Sequence, residues 1–451
     1  MARTIGARLR HLRTERGLSQ VDLAGPELSA SYISLIEAGK RMPSQRAVNR
    51  IAARLGCAPA EIYPAADAEA EASVDLALAE AEWCLAEGEL VSALERFAEV
   101  RRLAAGAARS EQALLAAWGE ARSLERLERF DEALDIYSDL FKDADLAHDK
   151  APTRWNIVSS LCRCEIELGD ADHAVDLGEK ALNELRDQGA VPTAAGIAIM
   201  CELVRAYLQR GDTTRARRLT VTAIAEAEVL QDPQQLARAY RAAGQAARDA
   251  GRTNEAVGLT RQALDLLVRG NNEAVLGEAL ALHGTALLWA DEENVQDAER
   301  DLRRAAEIYE RGRRVSEAAH CHQELARCAL VVGDASAAMQ STERALALLE
   351  TTPVAHQAQA LVLAAAALAM GGRESEAIVR CDEAVAALRK DDRDLRRLAM
   401  VWGEAAEVYA TLGEITRAVD AWRCGFNLLR TSGPLSLHPP FSHRASNSVT
   451  D

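Results

Sequence analysis

Aromatic side chains are scarce in this 451-residue chain, at 4% of its residues, while 49% are hydrophobic and alanine and leucine dominate. That balance favours closely packed helices over a β fold. No apolar run is long enough to span a bilayer, and the opening MARTIGARLRHLR lacks the hydrophobic stretch of a signal peptide. A cytoplasmic protein with no membrane role is therefore expected. The nine cysteines form no C-x-x-C pair and read as reduced, buried small residues. There is no glycine-rich phosphate loop, no H-E-x-x-H pair and no nucleophile elbow, so neither an enzyme nor a cofactor is expected. His320-Cys321-His322 with Cys328 is the nearest approach to a metal set, but residues two apart on a helix point to different faces. Cys162 and Cys164 part for the same reason, and no metal is expected.

Lysine is rare as well, five against 48 arginines, and the charge is unevenly spread. Residues 1–64 carry ten basic and five acidic side chains, whereas the remainder carries 43 and 64. A basic head on an acidic body points to nucleic-acid contact by the head alone.

What the chain does have is a period. Ala93, Ala133, Ala174, Ala216, Ala256, Ala298, Ala338, Ala377 and Ala418 follow one another at 39 to 42 residues. Five residues before seven of them stands a glycine, and Glu128 and Glu293 hold that place in the other two. A turn signal at a fixed place in a period near 40 predicts stacked helical hairpins. Two further small-residue columns run in parallel, one from Ala81 to Ala406, twelve residues before, and one from Ala181 to Gly425, seven after.

The head parses as five short helices: about 5–16, 20–24, 30–37, 45–55 and a last turn at 59–63. Ser19, Ser29 and Ser44 are placed as N-caps, and Gly17, Gly25 and Gly39 as stops. Leu18-Ser19-Gln20, Leu23-Ala24, Ser31-Tyr32-Ile33-Ser34, Ile36-Glu37, Gly39-Lys40 and Pro43-Ser44 together resemble the Cro/repressor-type (XRE) helix-turn-helix family. The turn at Gly25-Pro26 is about one residue shorter than that family's pattern. The resemblance implies that Gln20 starts the helix crossing the DNA backbone, and that Ala30, Ser31, Tyr32 and Ser34 face the major groove. Lys40 and Arg41 would anchor phosphates, and Arg8, Arg10 and Arg13 would add a second basic surface. The plainer alternative is that the serines only cap helices and the arginines form a solvated face.

The three small columns resemble the tetratricopeptide (TPR) pattern, with a period longer than usual. The implied fold is all-α: a five-helix helix-turn-helix domain at 1–64, a connector at 65–72, a right-handed TPR superhelix of about nine hairpins at 73–431, and a disordered tail at 432–451. In such a superhelix the first helices of the hairpins form the inner wall. Slots projected onto that wall hold Arg122, Asn156, Arg163, Arg205, Arg238, Arg241, Gln245, Gln323 and Arg327, with Trp118, His283 and His320 nearby. Guanidinium forks and a side-chain amide suit the carbonyls and terminal carboxylate of a peptide. The competing reading pairs these arginines with acids such as Glu120, Glu165 and Glu202.

Head and array together resemble bacterial quorum-sensing regulators that bind a signalling peptide. The expectation is a homodimeric transcription regulator on double-stranded DNA, controlled by a peptide or protein in the groove. The alternative is an adaptor that recruits a folded protein, with the head used for placement on DNA.

Overall fold

The structure, a computed structural model, describes residues 2–25, 27–41, 43–62, 65–106, 110–143, 152–189, 191–267, 273–350, 354–389 and 395–432. Every regular element among them is a helix. Tyr63 and the expected tail beyond Ser432 lie outside the described residues. Contacts divide the chain into two compact units, Met1–Arg154 and Trp155–Asp451.

The first unit opens with α1 (Ala2–Glu15), α2 (Gln20–Ala24), α3 (Ala30–Glu37), α4 (Gln45–Leu55) and α5 (Pro59–Ile62). The serines start the helices where expected. The Ser19 hydroxyl accepts from the Asp22 amide while the Asp22 carboxylate accepts from the Ser19 amide, a reciprocal box that satisfies two otherwise orphaned donors. The hydroxyls of Ser29 and Ser44 accept from the amides of Tyr32 and Ala47. Ile5, Leu9, Leu23, Ile33, Ile36, Val48, Ile51 and Leu55 close a core of their own. Gly6 is required by it, because a β-carbon there would lie 2.3 Å from the Ile36 carbonyl oxygen.

Paired helices follow. The first unit holds α6 (Ala65–Ala86) with α7 (Leu90–Gly106), and α8 (Ser110–Arg126) with α9 (Phe130–Asp143). Residues 65–72, expected as a connector, are the first turns of α6. The second unit holds α10 (Arg154–Glu167) with α11 (Ala171–Asp187), α12 (Ala194–Gln209) with α13 (Thr213–Leu230), and α14 (Pro233–Asp249) with α15 (Thr253–Leu267). It continues with α16 (Glu273–Ala290) and α17 (Val295–Arg311), α18 (Val315–Val331) and α19 (Ala335–Leu348), α20 (Val354–Met370) and α21 (Glu374–Leu388), and α22 (Leu395–Thr411) and α23 (Ile415–Ser432). Among the described residues this makes nine hairpins, numbered 1 to 9 below.

The alanine column sits where the two helices of a hairpin cross. Eight of its nine members are 0% exposed and Ala418 is 4% exposed. A larger side chain at such a crossing forces the helices apart, at a cost of about 1–3 kcal/mol. The turns explain the other regularity. Gly88, Gly169, Gly211, Gly251, Gly333, Gly372 and Gly413 all take positive φ, between 74° and 91° except Gly251 at 72°. Glu128 is forced into the same left-handed region at φ 59°, whereas the hairpin with Glu293 turns through a 3-10 helix, Glu292–Asn294.

No described helix is long and apolar enough to cross a membrane. All nine cysteines are free, seven of them buried. Burial pushes the thiols of Cys162, Cys201, Cys328 and Cys381 up to about 12, which makes them unreactive packing groups.

Candidate nucleic-acid interface and ligand wall

In the head, α3 is held by its buried side, through Ile33 and Ile36, and presents Ser31, Ser34 and Leu35 to solvent, with Ala30 half-buried at its start. Tyr32 lies half-buried against the core, and the Arg41 guanidinium stands 4.9 Å from its ring centroid. That stacking fixes Arg41 beside the exposed Lys40, just past the end of α3. Gln20 opens α2, directly after its cap Ser19. Its side-chain amide donates to Glu37 at 2.9 Å, so it braces α2 against α3.

Glu37 organises this corner. Arg13 donates to both of its oxygens, 2.5 and 2.9 Å away, and also to the Leu18 carbonyl. Burial alone would push the Glu37 carboxyl up, but the bonds from Arg13 and Gln20 outweigh it and hold it below the usual range. Arg13 is therefore a bracing residue and not part of a basic surface, which Arg8 and Arg10 present without it. The sequence carried the signal, an acid in the Ile36-Glu37 pair, but not the partner 24 residues away.

The first helices of the second unit lie side by side, α12 on α14, then α16, α18, α20 and α22. Their polar slots fall into two groups. In hairpins 3 to 6 the wall arginines are partly exposed, and three of the four, Arg163, Arg205 and Arg241, are paired with acids. Glu202 receives Arg163 at 3.0 Å on one oxygen and Arg205 at 2.9 Å on the other, and Arg205 also reaches Glu167. Burial raises the Glu202 carboxyl, yet the two guanidiniums prevail and bring it down to about 2. Arg241 pairs with Glu278, which also takes Arg314 at 3.0 Å. Arg238, half-buried three residues before Arg241, makes no ion pair or hydrogen bond with any described residue through its guanidinium. Gln245 is half-buried.

In hairpins 7 to 9 the wall is shut. Arg327 on α18 reaches past α20 to Glu404 on α22 at 2.8 Å, and also pairs with Glu324 at 3.2 Å. Side-chain exposures of the three are 4%, 5% and 3%. On α20, the slot that corresponds to Arg327 holds Ala366, which packs against the cores on both sides. Gln323 beside Glu324 is 1% exposed, with its side-chain oxygen unbonded among the described residues.

In the first unit Arg122 pairs with Glu82 at 3.2 Å. Two slots expected on the wall turn inward to their own hairpin instead: Trp118 meets Tyr137 at a tilt with centroids 5.2 Å apart, and the His283 ring bonds Asp301 at 2.6 Å. The acids named as competing partners divide. Glu202 takes wall arginines, whereas Glu120 pairs with Arg101 and Glu165 with His173. His320 and His322 make no metal set, since His322 bonds Glu310 at 2.8 Å and burial pushes the Cys321 thiol far up. Among the described residues Glu165, Asp170 and His173 come close enough to hold an ion, but Asp170 caps α11 and His173 is bonded to Glu165.

Residues 4–63 match a family described as a helix-turn-helix domain. No curated protein matches the chain. Among solved structures, a Rap protein complexed with competence and sporulation factor is 13% identical, covers 79% of this chain and 98% of its own, and superposes with a TM-score of 0.54. Aspartyl phosphate phosphatase F from Bacillus subtilis is 13% identical, with coverages of 81% and 97% and a TM-score of 0.48. PlcR from Bacillus thuringiensis, in complex with the peptide PapR7 and DNA, is 17% identical, with coverages of 68% and 95% and a TM-score of 0.35. The first likeness bears on fold: a helix-turn-helix head precedes an all-helical array of TPR-type hairpins.

Proposed function

We propose that the chain is a DNA-binding transcription regulator whose affinity for double-stranded DNA is set by a peptide or protein on the wall of hairpins 3 to 6. The observation that carries the reading is α3, capped, anchored by one side and presenting Ser31 and Ser34 on the other, in a head with a basic balance. Ser31 and Ser34 would meet base edges or phosphates, Ala30 a thymine methyl, and Lys40 and Arg41 phosphates. On the wall, Arg238 would take the ligand's carboxylate, while Asn156 and Gln245 offer amide groups to its backbone. The domain limits proposed are 1–64 for the reader and 65–431 for the array, with α6 continuous from Ala65.

The adaptor reading draws on one observation, that five of the six wall arginines are already neutralised by acids. Such a surface recognises a folded partner's shape as readily as an extended chain. Both readings are tested on the full-length protein. Selection from a pool of random duplexes should yield a preferred site, bound with steep salt dependence. Ser31→Ala and Ser34→Ala should change the preferred sequence, whereas Lys40→Ala should weaken all sequences alike. Peptide pools that shift DNA affinity in the wild type but not in Arg238→Ala support the peptide reading. No selected site at any salt concentration overturns the regulator.

A further inference from the structure

The outward line of α13 is apolar where its counterparts in the second unit are charged. Five residues on from the alanine column, hairpin 4 places Val221, 64% exposed. The other six hairpins of the second unit place Glu179, Arg261, Arg303, Glu343, Asp382 and Arg423 there. Further along the same face come the exposed Ala225 and Val229, the latter 69% exposed, where α11 carries Asn183 and Asp187. Spacings of four put Val221, Ala225 and Val229 on one line of the helix. Valine is a poorer helix former than alanine or leucine, so two wet valines do nothing for α13 itself. Its charges are placed against helix stability as well. Arg217 and Arg218, exposed at the head of the line, make no ion pair with any described residue. They stand in the first two turns, with Glu226 and Glu228 in the last two, the reverse of what the helix dipole favours.

We infer that this line docks an amphipathic helix of another protein, whose acids meet Arg217 and Arg218 and whose apolar side chains lie on Val221 and Val229. From Arg218 to Val229 the line runs roughly 16 Å, about three turns of such a helix. Charge selects the partner. Arg215 beside them is taken by Asp212 and Glu179, whereas Arg217 and Arg218 are left for an acid from outside. The exposed Glu228 at the far end repels acids there, so the partner's acids are gathered at one end of its helix. A second copy fits less well. Laid on its own counterpart, a ridge of two valines and one alanine falls short of the roughly 800 Å² per partner that a stable pair buries. Leucine or phenylalanine on a partner helix reaches over the ridge onto the apolar stems of the arginines. The line belongs to a second helix, whereas the ligand wall is built from first helices, so the two surfaces can be tested separately.

Two synthetic helical peptides with the same leucine seam test the inference on the full-length chain, one with glutamates gathered at an end and one with lysines in their place. Fluorescence anisotropy should show the glutamate peptide binding about tenfold more tightly, an advantage that salt erodes. Arg217→Glu with Arg218→Glu should reverse the preference. Val221→Ser with Val229→Ser should weaken both peptides, by about tenfold. All four side chains are exposed, and unchanged far-UV dichroism shows that the variants fold. Arg238→Ala should leave the binding untouched, which separates this line from the ligand wall. The inference is overturned if neither peptide binds below about 1 mM, if the two bind alike, or if the arginine exchange changes nothing. It is overturned too if Arg238→Ala abolishes the binding. A chain that doubles in mass by itself, and that Val221→Ser returns to a monomer, gives the line to a second copy and sinks the inference as well.

Discussion

Hairpins 3 to 6 and hairpins 7 to 9 share one architecture and differ in how they treat arginine. In the former, Arg163, Arg205 and Arg241 stand 31–36% exposed beside their acids, and Arg238 has no acid partner among the described residues. In the latter, Arg327 is sealed between Glu324 and Glu404 and ties α18 to α22. Exposure decides what an ion pair does. A half-wet pair contributes little to stability and can be exchanged for a ligand's groups, whereas a sealed one cannot be opened cheaply. The same residue type therefore marks a place to bind in one stretch and a structural tie in the other.

Four measurements test that contrast. The largest effect belongs to Arg327→Ala, which strands two carboxylates and should lower unfolding free energy by about 3–5 kcal/mol. Urea denaturation checks it, and Arg327→Met combined with Glu324→Gln and Glu404→Gln should recover most of the loss. A smaller effect, about 0.2–1 kcal/mol, is expected for Arg205→Ala, because Glu202 keeps Arg163. If Arg205→Ala matched Arg327→Ala, the distinction between the two stretches would fail.

A third measurement is pH dependence. Glu202 lies near 2 in the fold against an ordinary value of 4.5, so its stabilisation is complete above about 4.5 and is lost as pH falls toward 2. Glu202→Gln should accordingly be less stable than wild type at pH 6, with the gap narrowing below about pH 4.5 and closing only near pH 2. The smallest stability effect is assigned to Arg238→Ala, within about 0.5 kcal/mol of wild type, as befits a partly exposed guanidinium with no ion-pair partner among the described residues. Its consequence should appear only in ligand capture, read by calorimetry against the peptides that shift DNA affinity.

Much of the fold was legible in the sequence because the turns and crossings are local events. A left-handed glycine and a 0% exposed alanine leave the same mark in every repeat, and Ser19, Ser29 and Ser44 cap within three residues of themselves. The wall was legible only as a row of slots. Which acid each arginine meets depends on partners 37 to 40 residues away for Arg122, Arg163 and Arg241, and 77 away for Arg327, and no local pattern encodes such a pairing. The bonds of Gln20 and Arg13 are hidden from local patterns for the same reason, since Glu37 reaches them from another helix.

The strap from Arg327 to Glu404 also bears on cooperativity. In an array where each hairpin touches only its neighbours, opening can begin at a terminus and advance one hairpin at a time. A tie that skips α20 removes that freedom from hairpins 7 to 9, whose backbone amides should exchange with solvent deuterium as a single block. Hairpins 3 to 6 carry no such tie among the described residues and should exchange in graded steps.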